Sequence, residues 1–207
     1  MIPSSPHRRP PLFRAALFLA LLPAFVLAWA MAARAVTPAD FDITLLPPGM
    51  PVAEAREILA WHGLRPAGET VCCEVFEATI FDRIFARQRV VLQRDYDRVA
   101  GTGLVVDFEF VEEPGEYRAQ YEDLFGELIT RYGLPGFHLE RGIFSPDIAA
   151  DIGTGRFLRL SEWRTPDGHY LRFGIPDRVD GLLRLELRLT ADRLPAAGAA
   201  WSIEEVR

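Results

Sequence analysis

Apolar residues recur along this chain with two different periods. Between Pro51 and His62, Val52, Ala55, Ile58 and Leu59 fall three and four positions apart, the spacing that gathers side chains on one face of a helix. Pro51 suits the first helical position and Gly63 the position just past the end. A longer helix is predicted where Tyr117, Tyr121, Leu124, Phe125, Leu128 and Ile129 share a face, with Gly133 and Pro135 ending it. After each helix the period drops to two, as in a strand with one buried face. Behind the first helix the alternating runs are Val71 to Phe81, Arg87 to Arg94 and Leu104 to Glu112, the last with Leu104, Val106, Phe108 and Phe110 on one side. Behind the second they are Phe157 to Arg164, His169 to Ile175 and Leu182 to Thr190. In the final run Leu183, Leu185, Leu187 and Leu189 form the core side, and Arg184, Glu186, Arg188 and Thr190 are expected to face water. Thr165-Pro166-Asp167-Gly168 reads as a hairpin turn, because Pro pre-sets φ and Gly supplies a positive φ. Ser145-Pro146-Asp147 is placed to cap a short helix that ends at Gly153.

The two helix-and-strand stretches also match each other. At an offset of 70, Glu57-Ile58-Leu59 falls over Glu127-Leu128-Ile129 and His62-Gly63-Leu64 over Tyr132-Gly133-Leu134; at an offset of 80, Asp97-Arg98-Val99 falls over Asp177-Arg178-Val179. Two matches in the same order point to a tandem duplication. The expected fold is α+β: two helix-then-three-strand repeats, 36–113 and 114–190, forming antiparallel sheet with the helices on one face. A tail, 191–207, rich in Ala and Gly, reads as a mobile end.

The N-terminus changes where such a domain is expected to work. Residues 1–35 hold Arg8, Arg9, Arg14 and Arg34, no Asp or Glu, and an uncharged run from Ala15 to Ala33. A charged start followed by an apolar run is the pattern of an export signal. Ala33-Arg34-Ala35 is the expected cleavage site, and an uncleaved signal anchor is the alternative, since about 19 apolar residues span a bilayer. Either way the rest of the chain lies outside the cytoplasm, periplasmic or secreted. Without residues 1–35, 19 basic residues stand against 29 acidic ones, a net charge of −10. An acidic chain with no basic stripe is a poor binder of nucleic acid. The chain contains neither Lys nor Asn, which we read as codon bias and which also rules out N-glycosylation.

The segment Pro48-Gly49-Met50-Pro51-Val52-Ala53-Glu54-Ala55-Arg56-Glu57-Ile58-Leu59 resembles the opening of the SmpA/OmlA (BamE-like) outer-membrane assembly proteins. Those begin their helix with Gly-Met-small-x-x-Glu-Val-x-x-x-Leu. Here Ala55 stands where the pattern has Val, and no lipidated Cys opens the mature chain. The duplicated unit is similar to the repeat of the beta-lactamase-inhibitor-protein type. The resemblance implies the fold and a habit of binding other proteins.

Candidate chemistry is sparse. Beyond the leader the nucleophile candidates are few, Ser145, Ser161, Ser202, Cys72 and Cys73; Ser145 reads as a cap and Ser161 as a strand residue. His62, His138 and His169 stand singly, without metal-ligand spacing. Glu112-Glu113 and Glu204-Glu205 read as solvated carboxylates, and Gly153-Thr154-Gly155 lacks the Lys of a phosphate loop. Cys72 and Cys73, adjacent in a strand, are expected to point to opposite faces as thiols, with a vicinal disulfide as the alternative. No catalytic residue, cofactor or metal is assigned. The chain is expected to bind an unidentified envelope protein, in envelope or outer-membrane assembly; a secreted hydrolase inhibitor and an enzyme are the alternatives. The residues expected to do the binding are Trp163, Tyr170, Arg172, Arg184 and Arg188, on the sheet face away from the helices, since Tyr, Trp and Arg carry much of the energy at protein interfaces.

Overall fold

The structure is a computed structural model that describes residues 41–81, 86–108, 114–176 and 183–194. The leader and its Ala35 junction, Phe110, Glu112, Glu113, Ser202, Glu204 and Glu205 lie outside those residues. A 3-10 turn at Ile43–Leu45 precedes helix α1 (Val52–Trp61), then come strands β1 (Arg65–Glu69), β2 (Cys73–Ala78), β3 (Arg87–Asp95) and β4 (Arg98–Phe108). Helix α2 (Pro114–Tyr132) follows, then β5 (Phe137–Arg141), a short helix α3 (Ile148–Gly153), β6 (Leu158–Arg164), β7 (Tyr170–Ile175) and β8 (Leu183–Thr190).

All eight strands belong to one antiparallel sheet, in the order β1-β2-β3-β4-β8-β7-β6-β5. This overturns the expectation of two α-β-β-β repeats. Four strands follow each long helix, and β4 pairs along its length with β8, Leu104 opposite Leu187 and Val106 opposite Leu185, so that no sheet boundary separates the halves. The extra strands are the two outermost. Arg-Pro-Ala-Gly-Glu in β1 has no alternation to read, and β5 is five residues long directly behind the breakers Gly133, Pro135 and Gly136.

Every described helix packs on the same side of the sheet. Val52, Ala55 and Leu59 of α1, Tyr117, Tyr121, Leu124 and Leu128 of α2, and Ile148 and Ile152 of α3 share one core with the apolar residues of β4, β7 and β8. Burying a side chain such as Leu185 or Leu187 contributes about 1.5–3 kcal/mol. Polar handles inside that core are matched: the Tyr117 hydroxyl donates to the Arg184 carbonyl at 3.1 Å, and Thr102 Oγ1 to the Leu46 carbonyl at 3.0 Å. The segment before α1 is tied to the end of α2 through Asp42, whose Oδ1 accepts from Thr44 N at 2.8 Å and from the Tyr132 hydroxyl at 2.6 Å. Burial pushes the Asp42 carboxyl up, but the bonds from Tyr132 and Thr44, with Arg131 nearby, outweigh it and hold the carboxyl below its ordinary value.

Helix ends differ in detail from the sequence reading. Pro51 is the N-cap of α1 rather than its first helical residue, with φ −59° and ψ 134°. Gly63 and Gly133 close the two long helices with φ of 77° and 78°, the left-handed region that a Cβ disfavours. Asp147, not Ser145, occupies the N-cap of α3; the Ser145 carbonyl accepts from Ile148 N at 3.1 Å instead. No helix among the described residues is long and apolar enough to cross a membrane.

Candidate protein-binding site

The face of the sheet opposite the helices was expected to meet water, and among the described residues it does not. Strand register assigns to it Cys73 and Val75 of β2, Arg89, Val91 and Gln93 of β3, Gly101, Gly103, Val105 and Asp107 of β4, Arg184, Glu186 and Arg188 of β8, Arg172 of β7 and Glu162 of β6. Cys73, Val75, Val91 and Val105 form a second apolar cluster, separate from the helix-side core, and all four are buried. Asp107 takes two guanidiniums, Arg89 at short range and Arg184 at 3.3 Å, and Glu162 takes Arg172 at 2.8 Å and Arg193 at 2.7 Å. Arg188 reaches across β4, whose Gly101 and Gly103 lack a Cβ, and its Nη2 donates to Gln93 Oε1 at 3.3 Å. A Cβ on Gly101 would stand 3.1 Å from that same oxygen. Burial lowers the Arg188 pKa from its ordinary value.

Of the five residues picked from the sequence for binding, four lie on this face and one does not. Arg172, Arg184 and Arg188 are buried rather than solvent-facing: Arg172 pairs with Glu162, Arg184 with Asp107, and Arg188 donates to the Gln93 amide oxygen, so that polar partners within the face take the place of water. Tyr170 is half-buried at the start of β7, with the Arg164 guanidinium 5.6 Å from its ring centre. Trp163 points into the helix-side core, since the hairpin register pairs it with Leu171, and its Nε1 donates to the Gly133 carbonyl at 2.8 Å. It pins the end of α2 to β6.

Sequence reasoning left His138, Ser161 and Glu140 apart, and the structure brings them together. His138 Nδ1 lies 2.8 Å from Ser161 Oγ, and its Nε2 is 3.3 Å from Glu140 Oε1. The order hydroxyl, imidazole, carboxylate is that of an activated nucleophile. The Ser161 side chain, however, is wholly buried under α2, where the Phe125 ring stacks on His138 at 5.2 Å. A hydroxyl that no substrate atom can approach attacks nothing, so this line fastens β5 to β6. His62 is buried between Phe41 and Trp61 at the end of α1. Among the described residues no group of His, Cys, Asp and Glu is arranged to hold a metal ion. Cys72 is exposed, Cys73 is buried, and the two sulfurs are not bridged to each other.

The two edges of the sheet are built differently. At one edge, β1 carries Pro66 and an irregularity between Pro66 and Gly68, devices that blunt an edge against further pairing. At the other, β5 has no Pro and pairs with β6 in unbroken register from Phe137 opposite Glu162 to Arg141 opposite Leu158. No described strand pairs with its other side. Leu134 and Ile143, which flank β5, are 82% and 76% exposed. The far end of β5 is held firmly: Arg159 Nη1 donates to the Arg141 carbonyl at 2.8 Å, its Nη2 to the Gly142 carbonyl at 3.1 Å, and Gly142 turns the chain away with φ 73°. No family model, no curated protein and no solved structure matches this chain. The functional reading therefore rests on these edges and faces.

Proposed function

We propose that this chain is an exported envelope protein that binds a partner protein, by accepting an extended segment of that partner as a ninth strand along β5. The observation that carries the reading is the contrast between the edges: β1 is blunted by Pro66 and its irregularity, whereas β5 is regular, unpaired on one side among the described residues, and flanked by exposed Leu134 and Ile143. An unprotected edge offers a row of backbone donors and acceptors, and strand addition uses them for affinity while side-chain pockets give specificity. The anchoring of β5 by Arg159 and by the His138–Ser161 bond presents that row ready-made, which spares the ordering cost of binding. Export is supported by the basic start and apolar run of residues 1–35. A role in envelope or outer-membrane assembly follows the resemblance of residues 48–59 to the BamE-like opening.

The test is capture of a partner from envelope extract by the mature chain, compared with a Leu134→Lys, Ile143→Lys double variant. Both positions are exposed, so the fold is expected to survive. Capture should fall at least tenfold, a loss of about 1.4 kcal/mol. A matching pair at the other exposed apolar sites, Val71→Lys with Tyr96→Lys, should leave it unchanged. A folded Leu134/Ile143 variant that captures as well as the native chain would sink the reading.

A further inference from the structure

We propose that β5 pairs with the β5 of a second copy of this chain, antiparallel and in a single register, about a two-fold axis that passes through the Leu139 pair. The pairing uses the same edge as the proposed function but involves no partner protein, so either can fail without the other. The case begins with the edge itself. β5 ends the strand order, and among the described residues its outer side has no neighbour. Backbone donors and acceptors on such an edge pair with any strand that fits. One strand present wherever the chain is present is another β5, and its sequence fits itself.

Alternation puts Phe137, Leu139 and Arg141 on one face of β5, opposite Glu162, Leu160 and Leu158 of β6, and His138 and Glu140 on the other, opposite Ser161 and Arg159. An antiparallel copy centred on Leu139 sets Leu139 against Leu139, Phe137 against Arg141 and His138 against Glu140, the last two pairs occurring on both sides of the axis. Each pair is favourable: aliphatic against aliphatic, guanidinium beside an aromatic ring, carboxylate beside an imidazole. The same groups attract their like within one copy. The Arg193 guanidinium lies 5.5 Å from the Phe137 ring centre, and His138 Nε2 is 3.3 Å from Glu140 Oε1. Moving the centre one residue either way would set two imidazoles or two carboxylates against each other and shorten the ladder.

The backbone agrees with the side chains. Along an antiparallel edge, alternate residues turn N–H and C=O outward. In this register Phe137, Leu139 and Arg141 meet only one another, and His138 and Glu140 only each other, so the outward-turned groups of the two copies coincide whichever set they belong to. Both copies keep their helices on the same side, and two eight-stranded sheets join into one. The register also carries Leu134 of each copy to the end of the ladder that holds the other copy's Ile143, the two exposed apolar residues that flank β5. Although the chain as a whole is acidic, β5 itself balances Glu140 with Arg141, and the seam sets no like charges together. Five residue pairs make a small interface of the weak, exchanging class. Dilution therefore frees the edge, and a partner strand competes with the second copy for it.

Sedimentation velocity of the mature chain over a dilution series tests the pairing. The chain should pass from monomer to dimer as concentration rises and go no further, since a two-fold seam closes on itself and β1 is blunted. Leu139→Lys sets two ammonium groups against each other and should weaken association by about tenfold or more, with far-UV circular dichroism unchanged. Oxidation reads the register. In a chain carrying Cys72→Ser, oxidised glutathione should link two copies of the Leu139→Cys variant, because directly opposed Cα atoms stand about 4.5–5.5 Å apart, within disulfide reach. The Arg141→Cys variant should stay unlinked, its two thiols lying four residues, about 14 Å, apart along the ladder. Should Leu139→Lys fail to fold, the two cysteine variants decide alone. A native chain that stays monomeric at every concentration, a folded Leu139→Lys variant that associates as tightly as the native chain, or Arg141→Cys that links as readily as Leu139→Cys overturns the proposal. Capture of a partner by a chain that never self-associates would sink this pairing and leave strand capture standing; self-association without capture would do the reverse.

Discussion

Arg172, Arg184 and Arg188 show what alternation in a sequence does and does not reveal. Period two correctly assigns them to one face of β7 and β8, but equating a polar face with a wet one fails when each guanidinium has a carboxylate, amide or carbonyl in reach. A buried ion pair loses far more when one partner is removed than it contributes net. Replacing Arg172 by Glu would set a second carboxylate against Glu162, now 2.8 Å from the guanidinium; we expect a loss of about 3–5 kcal/mol in urea unfolding, and a loss under 1 kcal/mol would show the pair to be incidental. Asp42 gives a pH-dependent counterpart. Its carboxyl is held below its unfolded value, so the unfolded chain binds more protons, and the stability it contributes is full above about pH 4 and disappears as pH falls through the folded pKa. Asp42→Asn should therefore be less stable than the native chain at pH 7, by about 1 kcal/mol, and the gap should narrow in acid unfolding measured below pH 4. A gap independent of pH would mean the hydrogen bonds act without the charge.

At the scale of elements, the long helices and six of the strands were legible because apolar periodicity, a terminal Gly and the Thr165–Gly168 turn agreed with one another. In that turn Gly168 has φ 87° and Thr165 N donates to the His169 carbonyl at 2.9 Å. The edge strands β1 and β5 were not read, since an edge strand is paired on one side, carries little buried pattern and sits among breakers. Trp163 was misplaced for a related reason: its neighbours in sequence suggested the outer face, whereas hairpin register decides the matter by setting it opposite Leu171. Its indole bond to the Gly133 carbonyl closes the end of α2 on β6. Trp163→Phe keeps most of the buried ring and removes that bond, so a loss of about 1 kcal/mol is expected in thermal or urea unfolding; no loss would mean that packing alone holds the helix end.

For the whole molecule, the pairing of β4 with β8 is the feature that no local pattern announces. Two stretches that match each other in sequence read as separate units, and the long-range registry of Gly101 to Phe108 with Leu183 to Thr190 makes them one sheet with a single core. That same closure at the centre leaves, among the described residues, two edges, β1 blunted and β5 without a paired strand on its outer side, and the proposed strand addition is therefore placed at β5. The measurement that bears most directly on this account is amide hydrogen exchange of the mature chain alone and with its captured partner. Backbone amides of Phe137 to Arg141 should gain protection on binding, while those of Arg65 to Glu69 on the blunted edge keep their rates. Protection that appears at β1 or at the hairpin tips around Val71 and Tyr96, with β5 unchanged, would contradict it.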